Sequence, residues 1–252
     1  MRAAPKREVD YLLIDVSNSF TKLAFSTRDR VSRAIKIRTK KLTRAALEQH
    51  LASRAVTTIV VSSVVPAKNA TIAKAAGKSR VLFISADCQL GVGVDYPAPQ
   101  TIGADRLANA AAVAALYGRP AIVVDFGTAV TFDVVSADGN YVGGVIAPGL
   151  EAMTSFLYQR TALLPKLRLR EPASAIGRTT RGAMMSGAIY GYRGLVREII
   201  ARITQESFPR ETVRVVATGG YAELIARQLR EIEAVHPGLT LEGLRLIGNL
   251  NV

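Results

Sequence analysis

Two rhythms of apolar and polar positions alternate along the chain. Continuous runs of β-branched and leucyl residues read as strands buried on both faces, and stretches with apolar residues three and four apart read as helices. The clearest run spans Ile122 to Val135, where apolar residues lead into Asp125, a Gly127-Thr128 turn follows, and a second apolar run returns. That pattern predicts a buried strand, a tight turn and a returning strand. Leu12 to Phe25 repeats it: strand, Asp15, a small polar turn, Thr21, strand. At an offset of 110 residues Asp15 falls on Asp125 and Thr21 on Thr131.

Between and after these hairpins the pattern predicts a strand at Lys36-Ile37-Arg38, a helix over 42–52 with Thr43 as N-cap, a strand over 57–65 ended by Pro66, a helix over 67–76 and a strand over 81–85. The prolines at 97 and 99 impose an extended segment before a helix over 104–117, which Gly118-Arg119-Pro120 stops. Asp138-Gly139 is a favoured hairpin turn. A strand over 141–149, a helix over 150–159 and a loop follow. Residues 178–204 read as one long helix or a broken pair. Gly182, Gly187, Gly191 and Gly194 there are expected to let helices approach closely, in the core by default or otherwise at a subunit interface. A strand over 213–220 runs through Thr218-Gly219-Gly220 into a helix over 221–233, and 241–252 forms a short apolar helix. Strands and helices on this spacing favour right-handed crossovers and mostly parallel sheets. The expectation is an α/β protein of two related halves, 8–117 and 118–252, facing a common cleft.

Composition narrows the class. Of 252 residues, 49% are apolar and 21% charged, an ordinary globular balance. No run approaches the roughly 18 apolar residues of a membrane helix, and the basic start of the chain lacks the apolar stretch of a signal peptide. A single cysteine, Cys88, excludes a disulfide framework and fits a reducing cytoplasm. The two histidines, His50 and His236, read as surface residues rather than catalysts. Net charge is +13, and residues 1–50 hold 12 basic against 5 acidic side chains. The dense run from Arg28 to Arg44 invites a nucleic-acid reading. It lacks interleaved aromatics and no nucleic-acid-binding signature accompanies it. It reads more readily as a solvated face that attracts small anions than as a nucleic-acid surface, and no membrane partner is expected.

The chemistry concentrates at strand ends. Asp125 and Asp15 project carboxylates beside small turns whose backbone N–H groups suit a phosphate, while a carboxylate suits its cation. Gly103-Ala104-Asp105-Arg106 opens a helix. There Asp105 is either a structural aspartate complementing the helix dipole or a base that takes a hydroxyl proton while Arg106 holds an anion. Paired Gly143-Gly144 in an apolar strand signals close backbone approach, to a ligand or to another strand. Thr179 and Thr180 cap a helix or contact a ligand. There is no G-x-x-x-x-G-K-[ST], no G-x-G-x-x-G after a strand and no G-x-S-x-G, which argues against P-loop kinases, Rossmann dehydrogenases and α/β-hydrolases.

Taken together, Asp15-x-Ser17-Asn18-Ser19, Gly103-Ala104-Asp105-Arg106, Asp125-x-Gly127-Thr128-Ala129-x-Thr131, Gly143-Gly144-x-Ile146-x-Pro148-Gly149 and Thr218-Gly219-Gly220 resemble the type III pantothenate kinases in order and spacing. The segments at 163–165, 176–180 and 239–244 also fit, so the likeness spans residues 12–252. The resemblance implies a duplicated ribonuclease-H-like fold of the acetate and sugar kinase/Hsp70/actin superfamily. It also implies a homodimer that phosphorylates the 4′-hydroxyl of pantothenate from ATP at the opening of coenzyme A biosynthesis, with Mg²⁺ and a monovalent cation, K⁺ or NH₄⁺. Carried over by position, Asp15, Val16, Ser17, Asn18, Ser19, Phe20, Thr21 and Lys22 form the ATP-phosphate loop, Asp15 lies near Mg²⁺, and Thr128 contacts nucleotide phosphate. Asp125 is the monovalent-cation ligand and Asp105 the catalytic base. Tyr96, Gly103, Ala104, Asp105, Arg106 and Thr180 contact pantothenate. Two positions depart from the family pattern. Ser17 stands where the loop usually has glycine, and its Cβ is expected to crowd a phosphate or tilt the loop. Thr179 stands where asparagine is usual. Ser17 also motivates an alternative reading, a catalytically weak relative that binds nucleotide or pantothenate; the basic charge motivates another, a nucleic-acid-binding protein.

Overall fold

The computed structural model describes residues 9–252. In chain order the elements are β1 (Val9–Val16), β2 (Phe20–Ser26), β3 (Ile35–Arg38), α1 (Arg44–Ala52), β4 (Val56–Ser63), α2 (Asn69–Ala75), β5 (Arg80–Phe83), β6 (Gly93–Val94), α3 (Ala104–Leu116), β7 (Ala121–Phe126), β8 (Ala129–Val135), β9 (Asn140–Pro148), α4 (Leu150–Arg160), α5 (Thr180–Ser207), β10 (Arg214–Gly219), α6 (Ala222–Ala226), β11 (Ala234–Val235) and α7 (Leu239–Asn251). Two compact units result: residues up to Leu116 together with Gly238–Val252, and Tyr117–Pro237.

In the first unit the sheet order is β3-β2-β1-β4-β5, with β1 antiparallel to β2 and parallel to β4. Strand β1 is buried on both faces, which its unbroken apolar run requires. Leu12, Ile14 and Val16 point into one cluster with Leu47 of α1 and Ile72 of α2. Tyr11 and Leu13 point into the other, with Ala108 of α3 and Leu244 of α7. Helices therefore cover both sides. Thr43 caps α1 as its position predicts, its hydroxyl accepting from the Ala46 N–H at 3.2 Å.

The second unit repeats the plan. Strands β9-β8-β7-β10-β11 lie in the order that β3-β2-β1-β4-β5 take, with β7 antiparallel to β8 and parallel to β10. Ile122, Val124 and Phe126 pack on Ile189, Tyr192 and Val196 of α5. The duplication visible as two aspartate-tipped hairpins is thus a duplication of topology.

Five expectations differ in the structure. The 110-residue offset aligns the aspartates but not the returning strands: Asp15 faces Lys22 across its hairpin, whereas Asp125 faces Thr131. The first turn holds one more residue, so Thr21 and Thr131 occupy different register positions. Residues 238–252, expected in the second half, belong to the first unit. There α7 packs so closely on α3 that a Cβ on Gly243 would overlap the Ala108 carbonyl. The helix over 221–233 shortens to α6, because Leu229 and Ile232 reach the core from turns rather than from a continued helix. Helix α5 is single and unbroken, yet Gly187, Gly191 and Gly194 face open space instead of core neighbours. His50 is not a simple surface residue. Its ring stacks on Phe25 at 4.7 Å between centroids, and burial and the nearby Arg54 charge lower its basicity. His236 likewise bonds through Nδ1 to the Tyr117 hydroxyl at 3.0 Å.

Candidate active site

The first unit gathers its candidate groups at the carboxyl ends of β1 and β4. Asp15, the next-to-last residue of β1, is 3% exposed. Its Oδ2 lies 3.8 Å from Lys22 Nζ, the residue opposite it on β2. The turn beyond it, Ser17-Asn18-Ser19, closes through a Ser17 N–H donating to the Phe20 carbonyl at 3.1 Å. Among the described residues only glycines have positive φ, so Ser17 keeps the turn in ordinary L-residue backbone. Its departure from the family glycine carries no backbone strain. Asn18 and Ser19 are exposed and Ser17 is half-buried.

Asp105 sits in the first turn of α3. The Gly103 carbonyl opens that helix by accepting from the Arg106 and Leu107 N–H groups at 3.0 and 3.2 Å. The Arg106 N–H also donates to Asp105 Oδ1 at 2.9 Å. A Cβ on Gly103 would stand 2.6 Å from that same oxygen, so glycine is what leaves the carboxylate its place. Burial raises the Asp105 pKa above the ordinary 3.8. The Arg106 N–H bond and the Arg106 and Lys22 charges oppose the rise without cancelling it. A half-buried carboxylate with raised basicity, beside Arg106 and within electrostatic reach of Lys22, is suited to take a proton from an alcohol while its neighbours hold an anion. The Val64 N–H donates to the Val16 carbonyl at 3.0 Å, and Val64 lies beside Gly103, which brings the β1, β4 and α3 ends together. Ala104 is buried and Tyr96 is half-buried in the extended segment before α3.

In the second unit Asp125 lies on β7 opposite Thr218 of β10. Gly219 follows with φ +94°, and a Cβ there would stand 2.5 Å from Asp125 Oδ1. Asp105 and Asp125 are thus each shouldered by a glycine, as Asp15 is not. The turn at Gly127-Thr128 is exposed. Gly149 backs it so tightly that any Cβ would overlap the Thr128 carbonyl, so close approach of backbone to backbone explains that glycine. Thr179, not Thr180, caps α5, its hydroxyl accepting from the Gly182 N–H at 3.0 Å. Thr180 is left exposed at the helix start. The loop before it is anchored by Arg193, 5% exposed, which donates to both carboxylate oxygens of Glu171 at 2.8 and 2.7 Å and to the Leu224 and Ile225 carbonyls. Neither Arg193 nor Glu171 carries a sequence signal, because the contact joins an irregular loop to a helix position 22 residues further on.

Among the described residues no group of three or more His, Cys, Asp or Glu side chains is placed to hold a metal ion. Single carboxylates remain compatible with Mg²⁺, which keeps waters and takes substrate phosphates as ligands beside one or two carboxylates. Asp15, 3% exposed at the end of β1, offers one such carboxylate. No described helix is long and apolar enough to cross a membrane.

A twice-repeated β3-β2-β1-β4-β5 sheet with an aspartate at the tip of each first hairpin defines the acetate and sugar kinase/Hsp70/actin class of phosphotransferase fold. An inorganic polyphosphate/ATP-glucomannokinase from Arthrobacter shares it: TM-score 0.50, 13% identity, 96% of this chain and 99% of that one covered. The type III pantothenate kinase family model matches residues 11–202. The type III pantothenate kinase of Akkermansia muciniphila is 49% identical over 243 residues, 96% of this chain and 99% of its own. That of Methylacidiphilum infernorum is 41% identical over 239 residues, 95% of this chain and 88% of its own. The chain belongs to the type III pantothenate kinase family.

Proposed function

We propose that this enzyme transfers the γ-phosphoryl group of ATP to the 4′-hydroxyl of pantothenate, the step that opens coenzyme A biosynthesis. The observation that carries the mechanism is Asp105: a half-buried carboxylate of raised basicity, beside Arg106 and within electrostatic reach of Lys22. As the 4′-oxygen bonds to the γ-phosphorus, its proton passes to Asp105 and the bond from that phosphorus to the β–γ bridging oxygen breaks, releasing ADP. In the first unit Arg106 and Tyr96, with Gly103 and Ala104 shaping the helix entry, hold pantothenate. In the same unit the turn from Asp15 to Lys22 holds the triphosphate. Phosphoryl transfer of this kind depends on positioning and charge neutralisation more than on covalent help. Asp15 would hold Mg²⁺ and Asp125 the K⁺ or NH₄⁺ ion; such cations supply neutralisation of the charge that develops on the phosphoryl oxygens.

A homodimer accompanies this reading. Pro148, Met153, Phe156, Leu157, Leu167 and Gly187 line an apolar groove of about 660 Å³ between α4 and α5. Phe156 and Leu157 are 58% and 41% exposed. Contiguous exposed apolar surface of this kind marks an association site, and a second copy of the chain would cover it and the bare α5 glycines. Light scattering should give twice the 27.0 kDa chain mass. The decisive assay couples ADP release to pantothenate and to related small hydroxy acids, with Mg²⁺ and K⁺ supplied. Release that depends on pantothenate, with a phosphorylated product by mass spectrometry, is expected. ATP binding without pantothenate-dependent release would instead favour a binding protein of the same fold.

A further inference from the structure

The Ser17-Asn18-Ser19 turn is held from behind by one residue that none of the motifs contains. Thr39 follows the edge strand β3 and is 3% exposed. Its Oγ1 donates to the Ser17 carbonyl at 2.6 Å, and its backbone N–H donates to the Ser19 carbonyl at 3.1 Å. Thr21 Oγ1, fully buried, lies 3.1 Å from Thr39 Oγ1. The Thr39 hydroxyl has one proton, and the short bond to the Ser17 carbonyl uses it. Thr21 is therefore the donor in the second bond, and the chain of bonds runs Thr21 to Thr39 to the Ser17 carbonyl.

The direction of the turn follows. In a planar trans peptide the C=O and the N–H point to opposite sides. Fixing the Ser17 carbonyl against Thr39 turns the Asn18 N–H of the same peptide away from it, toward the exposed side of the turn where an anion is met. A glycine turn obtains such orientation from backbone freedom. This turn has a serine in ordinary backbone, and its peptide is oriented by a buried hydroxyl instead.

We infer that Thr39 is a positioning residue of the phosphate turn, holding the Ser17 and Ser19 carbonyls so that the Asn18 N–H is presented to the nucleoside triphosphate. The inference rests on the assignment of residues 15–22 to ATP phosphates. It is tested with three variants of the full-length enzyme, each assayed for KM of both substrates, kcat, and equilibrium ADP affinity. Thr39→Val removes the hydroxyl at nearly constant volume. It should raise KM for ATP and weaken ADP binding by about 3- to 10-fold, the effect of losing one net hydrogen bond, with kcat and KM for pantothenate unchanged. Thr39→Ser keeps the hydroxyl and should restore nucleotide affinity to the wild-type range. Asn18→Ala tests the underlying assignment. If Asn18→Ala weakens nucleotide binding and Thr39→Val does not, the inference fails while the assignment stands. If neither changes it, the assignment itself fails. Equal effects of Thr39→Val on both substrates, or no restoration by Thr39→Ser, would reduce Thr39 to a fold residue. Should Thr39→Val melt below the assay temperature, Thr39→Ala removes the same hydroxyl with less bulk and is read against Thr39→Ser in the same way.

Discussion

Gly219 offers the sharpest quantitative test, because two costs meet there and its neighbour Gly220 has neither. Replacing Gly219 by alanine places a Cβ on backbone with φ +94°, 2.5 Å from Asp125 Oδ1 and 2.6 Å from both the N and the C of Phe126. The backbone cost for an L-residue in the left-handed region is roughly 1–2 kcal/mol. The contact with Phe126 involves main chain, so no rotamer change relieves it, and overpacking of this kind adds roughly 1–3 kcal/mol. The sum, about 2–5 kcal/mol, corresponds to a fall in Tm on the order of 10 °C at this chain length. Gly220→Ala meets nothing within 4 Å and needs no unusual backbone, so its Tm should match wild type or exceed it slightly. Both variants are compared by thermal unfolding followed by circular dichroism, with kinase activity measured below the transition. Gly219→Ala should also lose activity, since the displaced atom nearest the new Cβ is an oxygen of Asp125. A Gly219→Ala protein that melts within about 2 °C of Gly220→Ala would refute the argument that glycine is required there for space.

Further outcomes follow from the same groups. Asp105→Asn should lower kcat by roughly 10²–10⁴, the usual loss for a general base; near-wild-type turnover would give Asp105 another job. The same variant should be more stable than wild type at neutral pH. The raised Asp105 pKa means that folding favours the protonated acid, so wild type loses stability as pH climbs from 3.8 through the higher folded value, and the Tm gap should close below that window. Asp125→Ala should abolish stimulation by K⁺, read as the ratio of rates with and without the ion; an unchanged ratio removes it from the cation site. Glu171→Gln removes the charge opposite Arg193 but leaves it the Leu224 and Ile225 carbonyls and an amide oxygen, and with Glu171 half exposed it should cost about 1–2 kcal/mol. The Arg193 hydrogen bonds hold the Glu171 pKa below 4.5, so its stabilisation is complete above that pH and fades as pH falls through the lower folded value. Urea denaturation of wild type and Glu171→Gln across that range checks it.

The parts legible in the sequence were those fixed by local pattern. Asp15 and Asp125 announce themselves because an apolar strand ends on a carboxylate followed by small residues, and Gly103 and Gly219 stand out because turns need them. What the sequence could not disclose depends on contacts made across long separations. Nothing local in Leu239–Asn251 says that Gly243 will lie on Ala108, and nothing in Leu229 says that it fills the core from a turn. The one-residue difference between the hairpin turns hides behind a good offset match, since matching aspartates leaves the returning register undetermined. Thr39 is invisible for a related reason: it follows an edge strand with an ordinary composition, and only the pairing of β2 with β3 carries it behind Ser17. The α5 glycines misled because small residues at helical spacing mark close approach without saying to what.

The placement of α7 has a consequence for biosynthesis. Residues 117–237 contain everything their own core needs, so that stretch can mature as soon as it leaves the ribosome. In the amino-terminal unit, although it is translated earlier, the apolar wall of Tyr11, Leu13 and Ala108 stays uncovered until residues 238–252 are made and seal it. Loss of residues 238–252 would therefore leave the α3 packing face of the half that carries Asp105 open and prone to aggregation.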